Sequence, residues 1–124
     1  MSYSVLIVDD ERDATDALKM YLDLRGFTVR SAYSGQGGID LVKEAKPDLV
    51  LLDLAMPGKD GWQALREMRG LAPDLRVVIL TGSVPDRGLE EQAKQEGAIG
   101  IITKPIQISE LAPKIRSFIE GGKP

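Results

Sequence analysis

Asp9, Asp10, Asp53, Thr81 and Lys104 are the side chains best placed for chemistry, because each lies at the end of an apolar run. The runs span 5–8, 49–52, 77–80 and 99–103. If they are parallel strands of one sheet, their carboxyl ends share the edge where open α/β sheets bind ligands. Three carboxylates, a hydroxyl and an ammonium would then meet in one crevice. Two carboxylates ~4 Å apart repel by about 4 kcal/mol at an effective dielectric of about 20. A divalent cation with oxygen ligands relieves that repulsion, and Mg²⁺ keeps positions open for phosphate oxygens. Asp53 could then serve as a nucleophile toward phosphorus. Phosphoryl transfer mostly requires positioning and neutralisation of three equatorial oxygens. Here the cation would take one, Lys104 a second, and the Thr81 hydroxyl with nearby N–H groups the third. Gly82 leaves room for the group to approach.

Composition narrows the chemistry further. The chain has no Cys and no His, which removes disulfides, thiol redox chemistry and the usual zinc ligands. Any cation must be held by oxygen. With no histidine to relay phosphate, the donor must be another molecule. A net charge of −3 with scattered Lys and Arg disfavours direct nucleic-acid binding. No apolar stretch is long enough to span a bilayer, and residues 1–4 lack a basic start, so no membrane insertion and a cytoplasmic address are expected.

At 124 residues the chain is large enough for one self-sufficient domain. Strand and helix patterns alternate five times, which predicts a parallel sheet with helices on both faces. The runs are rich in Val, Ile and Leu without alternation, as strands buried on both sides should be. Residues 27–32 read as the second strand. The first helix follows Asp10, with Ala14, Ala17, Leu18, Tyr21 and Leu22 as its apolar positions and Gly26 as its stop. Ser34 is the expected cap of the second helix, which Gly37 and Gly38 weaken by about 1 kcal/mol each. Residues 56–61 are loop chemistry, with Asp60 as cap and Gly70 as end of the third helix. The fourth helix, over 86–96, has a poor apolar face and a low expected opening energy. Ser109 is the expected cap of the last helix, whose inward stripe is Leu111, Ile115, Phe118 and Ile119. Pro113 lies near enough to its start to be tolerated, with the loss of one early hydrogen bond. Each chemical residue also has a plain alternative taken alone: Asp10 as a helix cap, Asp9 as a loop charge, Asp53 in a turn. Their joint placement at strand ends is what points to a site.

The set Asp9-Asp10, Asp53, Met56-Pro57-Gly58, Asp60-Gly61, Thr81-Gly82 and Lys104-Pro105 closely resembles the receiver domain of two-component response regulators, in order and spacing over nearly the whole chain. The resemblance implies a doubly wound, flavodoxin-like fold with five strands in the order 2-1-3-4-5. It implies a receiver over residues 1–120 and a tail or linker stub at 121–124. It further implies that Asp53 accepts phosphate from a sensor histidine kinase or a histidine phosphotransfer protein. Asp9, Asp10, Asp53 and the backbone carbonyl of Ala55 would hold Mg²⁺. Thr81 would be the switch hydroxyl, Lys104 the phosphate-sensing ammonium, and Lys104-Pro105 a cis peptide. Phosphorylation would alter an interface for an output partner, or for a homodimer.

The chain departs from the family pattern at Ile101, where an aromatic ring often stands three residues before the lysine, and at Ile106, where Phe is frequent. An isoleucine has no ring to swing inward with Thr81, so only partial switching is expected. Two other readings compete. A phosphorylation-independent module on this fold is disfavoured by the intact acidic set. A Mg²⁺-dependent hydrolase with an aspartate nucleophile would need a cap or substrate pocket that the chain has no spare residues to build. The protein is therefore expected to be a signalling domain rather than an enzyme.

Overall fold

The apolar runs become the strands of a single parallel sheet in the order β2-β1-β3-β4-β5. A computed structural model describes residues 2–55 and 61–121. Strands β1 (Ser4–Val8), β2 (Thr28–Ala32), β3 (Leu49–Asp53), β4 (Val77–Thr81) and β5 (Gly100–Thr103) alternate with α1 (Arg12–Leu24), α2 (Gly35–Glu44), α3 (Gly61–Leu71), α4 (Arg87–Gln95) and α5 (Ile108–Glu120). Every residue of β3 and β4 is buried, which explains their unbroken apolar character.

Successive strand residues point to opposite faces, so the sheet builds two cores. Leu6, Val8, Val50, Leu52 and Ile79 face α2 and α3, packing with Ile39, Leu65 and Met68; half-buried Trp62 and Ile101 lie against this cluster. Val5, Ile7, Leu51, Val78 and Leu80 face α1 and α5, packing with Leu18, Leu22, Leu111, Ile115 and Ile119. Among the described residues no helix is long and apolar enough to cross a membrane.

Helix ends follow local chemistry where the predicted signals were strong. Ser34 caps α2 by accepting the Gly37 N–H at 3.0 Å. Gly26 adopts φ +93° after α1. Its N–H donates to the Asp23 carbonyl and that of Phe27 to Leu22, the paired reverse bonds of a left-handed helix stop. Asp86 caps α4 through the Leu89 N–H at 2.8 Å.

Several expectations need correction. Helix α5 starts at Ile108 after Gln107, so Ser109 lies inside the helix rather than at its cap. Pro113 therefore falls in the second turn, beyond the positions whose N–H groups lack a helical acceptor. Gly70 does not close α3, which continues through Leu71. Ala14 and Ala17 are exposed; Thr15, Leu18 and Leu22 form the buried stripe of α1. Asp16 accepts the Tyr33 hydroxyl at 2.6 Å. Of the loop expected over 56–61, Gly61 is instead the first residue of α3; residues 56–60, the Asp60 cap and residues 122–124 of the tail lie outside the described residues.

Candidate phosphoacceptor site

Register brings the chemical residues level with one another. Val8 pairs with Leu52, so Asp9 and Asp53 leave adjacent central strands at the same height. Asp53 pairs with Leu80 and Thr81 with Thr103, so the β4 hydroxyl and the lysine after β5 flank them. The backbone enforces this closeness: the Lys104 N–H donates to the Thr81 carbonyl at 2.7 Å, and that of Asp9 to Ala32 at 3.1 Å.

Three of the strand ends share one local device. Asp9 Oδ1 accepts the N–H of Glu11 at 3.0 Å, and Asp53 Oδ1 accepts that of Ala55 at 3.0 Å. Thr81 Oγ1 accepts the N–H of Ser83 at 3.1 Å. Each side chain thus bonds the backbone two residues on, a turn that Asp and Ser/Thr favour. The bond fixes one oxygen of each carboxylate and leaves Oδ2 to face the common centre. Thr81 keeps its own hydroxyl hydrogen to donate.

Lys104 sits at that centre. Its Nζ lies 2.8 Å from Asp9 Oδ2, 3.3 Å from Asp53 Oδ2 and 2.9 Å from Glu11 Oε1. Asp9 and Asp53 are only 1% and 4% exposed, so these charges are held where water screens them poorly. Burial pushes the Asp53 carboxyl above its ordinary range; the Ala55 N–H and Lys104 oppose this, and the charge of Asp9 adds to it. Burial also disfavours the Lys104 ammonium, yet its hydrogen bonds to Asp9 and Glu11 and the charge of Asp53 win, holding it above its ordinary range.

Asp9, Asp10 and Asp53 each offer a carboxylate oxygen within 4.8 Å of the others, a set of hard donors suited to a small divalent cation. Lys104-Pro105 is cis, as the resemblance implied. Gly82 is exposed, and a Cβ built there would meet nothing within 4 Å. Ala55, two residues past Asp53, is exposed. Ile101 is half-buried and, with Pro85, Glu90, Ala93 and Lys94, lines an open cavity of about 450 Å³ between α4 and β5. On the other side of Lys104, Ala14, Ala17, Leu18, Pro105, Ile106 and Ile108 line a groove of about 500 Å³ that reaches Asp9. This is where the alanines expected inside α1 are found.

Glu11 is the member of the site that sequence reasoning did not single out. The available signal was a third acid directly after Asp9-Asp10, where the first helix was expected to begin. Gly61, expected only as loop chemistry, has a packing role as the first residue of α3. A Cβ there would lie 2.5 Å from Leu54 Cα and 2.9 Å from the Asp53 carbonyl oxygen, so α3 can begin only because its first residue lacks one.

The response regulator receiver domain family model matches residues 5–116. The chain is 34% identical to the response regulator MprA of Mycobacterium tuberculosis over 128 aligned positions, covering all of this chain and 54% of that protein. It therefore spans about half the length of the curated relatives it matches. Its fold superposes on a CheY-like receiver domain protein of Methanospirillum hungatei with TM-score 0.90 at 24% identity, covering 98% of this chain and 97% of that one. NtrX of Brucella abortus matches with TM-score 0.88 at 28% identity, covering 98% of this chain and 28% of that one.

Proposed function

This chain belongs to the response regulator receiver domain family of two-component systems, and from that premise we propose that Asp53 accepts a phosphoryl group from a phosphohistidine on a partner protein. The observation that carries the reading is the position of Lys104 Nζ, one cation already bridging the Oδ2 atoms of Asp9 and Asp53. Asp9, Asp10 and Asp53 have the donor chemistry for Mg²⁺, and together with the Ala55 carbonyl they would be its protein ligands. When bound, Mg²⁺ supplies neutralisation of the carboxylates and of one phosphate oxygen.

Asp53 Oδ2 attacks phosphorus, the P–N bond to the donor imidazole breaks, and the imidazole leaves with the bonding electron pair. Lys104 follows the negative charge from the carboxylates to a phosphate oxygen. Thr81 donates its free hydroxyl hydrogen to another, helped by nearby backbone N–H groups. The donor, a histidine kinase or phosphotransfer protein, is supported by the absence of histidine from the chain and by the apolar groove beside Lys104. Output follows from the shift of Thr81 and Lys104 toward the phosphate, which biases β5 and α4. Moving a two-state balance from mostly off to mostly on takes about 5.5 kcal/mol. One charge-assisted hydrogen bond gives only about 1.5–3 kcal/mol, so the contacts must act together. With Ile101 in place of a ring, the shift is partial. Incubation with acetyl phosphate and Mg²⁺ tests the acceptor: a one-phosphoryl mass gain is expected for the wild type and none for Asp53→Asn. The same gain in the variant contradicts the proposal.

A further inference from the structure

We infer that Glu11 is a positioning residue that takes over the Lys104 ammonium when a divalent cation enters the Asp9–Asp10–Asp53 nest. The inference rests on the reading that the nest binds Mg²⁺. Lys104 Nζ now lies between Asp9 Oδ2 and Asp53 Oδ2, on the same carboxylates a divalent cation would use. Two cations cannot share those oxygens at ~4 Å without strong mutual repulsion, so the ammonium must withdraw. Glu11 is the third carboxylate in contact with it, at 2.9 Å, and it stands outside the trio. Its side chain is 64% exposed, against 2% for Asp9 and 6% for Asp53, so it marks the solvent side of the site.

The backbone explains why this carboxylate is available. Glu11 occupies the N-cap of α1 yet makes no side-chain cap bond. Its N–H is taken by Asp9 Oδ1, and its side chain crosses to the β5–α5 connection 93 residues away. An N-cap is normally filled by a short residue that bonds its own helix. A longer acid placed here gives up that bond and reaches the lysine. In the metal-free site Glu11 is one of three partners for the ammonium; with the nest filled it is the one that remains. Glu11 therefore favours the cation-loaded state through Lys104.

Calorimetric Mg²⁺ titration of the wild type, Glu11→Gln, Lys104→Met and the double variant tests this. Glu11→Gln is expected to weaken Mg²⁺ binding about two- to fivefold, the range for an exposed ion pair. In the Lys104→Met background the same change should have less than about half that factor. An equal factor in both backgrounds would show that Glu11 acts only as a nearby charge, and no effect in either would also overturn the inference. Absence of Mg²⁺ binding by all four proteins would overturn the magnesium reading, and this inference with it. A second measurement needs only the exposed-residue variant. With Mg²⁺ saturating, the Lys104 side-chain amine NMR signal should stay ordered in the wild type and become as mobile as surface lysines in Glu11→Gln. Equal mobility in the two proteins contradicts the handover.

Discussion

Asp53 stands where burial disfavours the charged form of its carboxyl. Burial raises its carboxyl, and the Lys104 contact only partly offsets this. A carboxyl raised in the folded state favours folding when protonated. The fold therefore gains stability as pH falls through the Asp53 value, and the gain is complete below the unfolded value of about 3.9. Asp53→Asn lacks the buried charge. The metal-free variant should be more stable than the wild type at neutral pH, and the difference should shrink as pH falls toward about 4, as read by urea denaturation. A difference that widens on acidification contradicts the assignment. The acidic trio, Thr81 and Lys104 were legible because each interrupts an apolar run with a group that has no reason to lie there. Glu11 was not, since an exposed acid at a helix start is common and its partner is 93 residues distant.

At the scale of elements, close approach explains what periodicity could not. A Cβ at Gly38 would lie 2.7 Å from Val8 Cγ2 and 2.9 Å from Met68 Cε, so this glycine lets α2 pack against β1 and α3. Reading it as a mere weakness of α2 missed that role, because helix propensity carries no information on tertiary neighbours. Gly38→Ala should cost about 1–3 kcal/mol through overpacking, measured by denaturation; a stabilised variant contradicts this. Gly61→Ala acts on the site instead. It drives α3 against the Asp53–Leu54 backbone, and a displacement of the acceptor by ~1 Å can cost on the order of 100-fold in rate. Phosphorylation by acetyl phosphate should therefore slow by about tenfold or more in a variant that remains folded; an unchanged rate rules this out. Ends with strong local chemistry, Ser34 and Gly26, were read correctly. The α5 start was not, because the chain enters that helix straight from the Lys104-Pro105 turn and Gln107 caps it with backbone alone.

Across the whole molecule, stability and mobility divide by element. Strands β1, β3 and β4 anchor two cores, whereas α4 buries only Ala93 and is tied at its far end by the pair between Arg66 and Glu96. Its amides should exchange with solvent well before those of β3, because opening energy follows buried apolar contact. The five β-α alternations made a parallel sheet with helices on both faces legible, while the strand order was legible only through the family resemblance. Binding at the sheet's carboxyl edge should stabilise the entire fold: at 100 times its Kd, Mg²⁺ adds about 2.7 kcal/mol, and Asp9→Asn should lose most of that gain in a thermal melt. The central claim, that Asp53 carries the phosphoryl group, is tested most directly by reducing the phosphorylated protein with borohydride and mapping its peptides. An acyl phosphate on Asp53 gives homoserine at position 53 alone. Homoserine at another acid, or a phosphate on serine or threonine that survives hydroxylamine, would contradict the account.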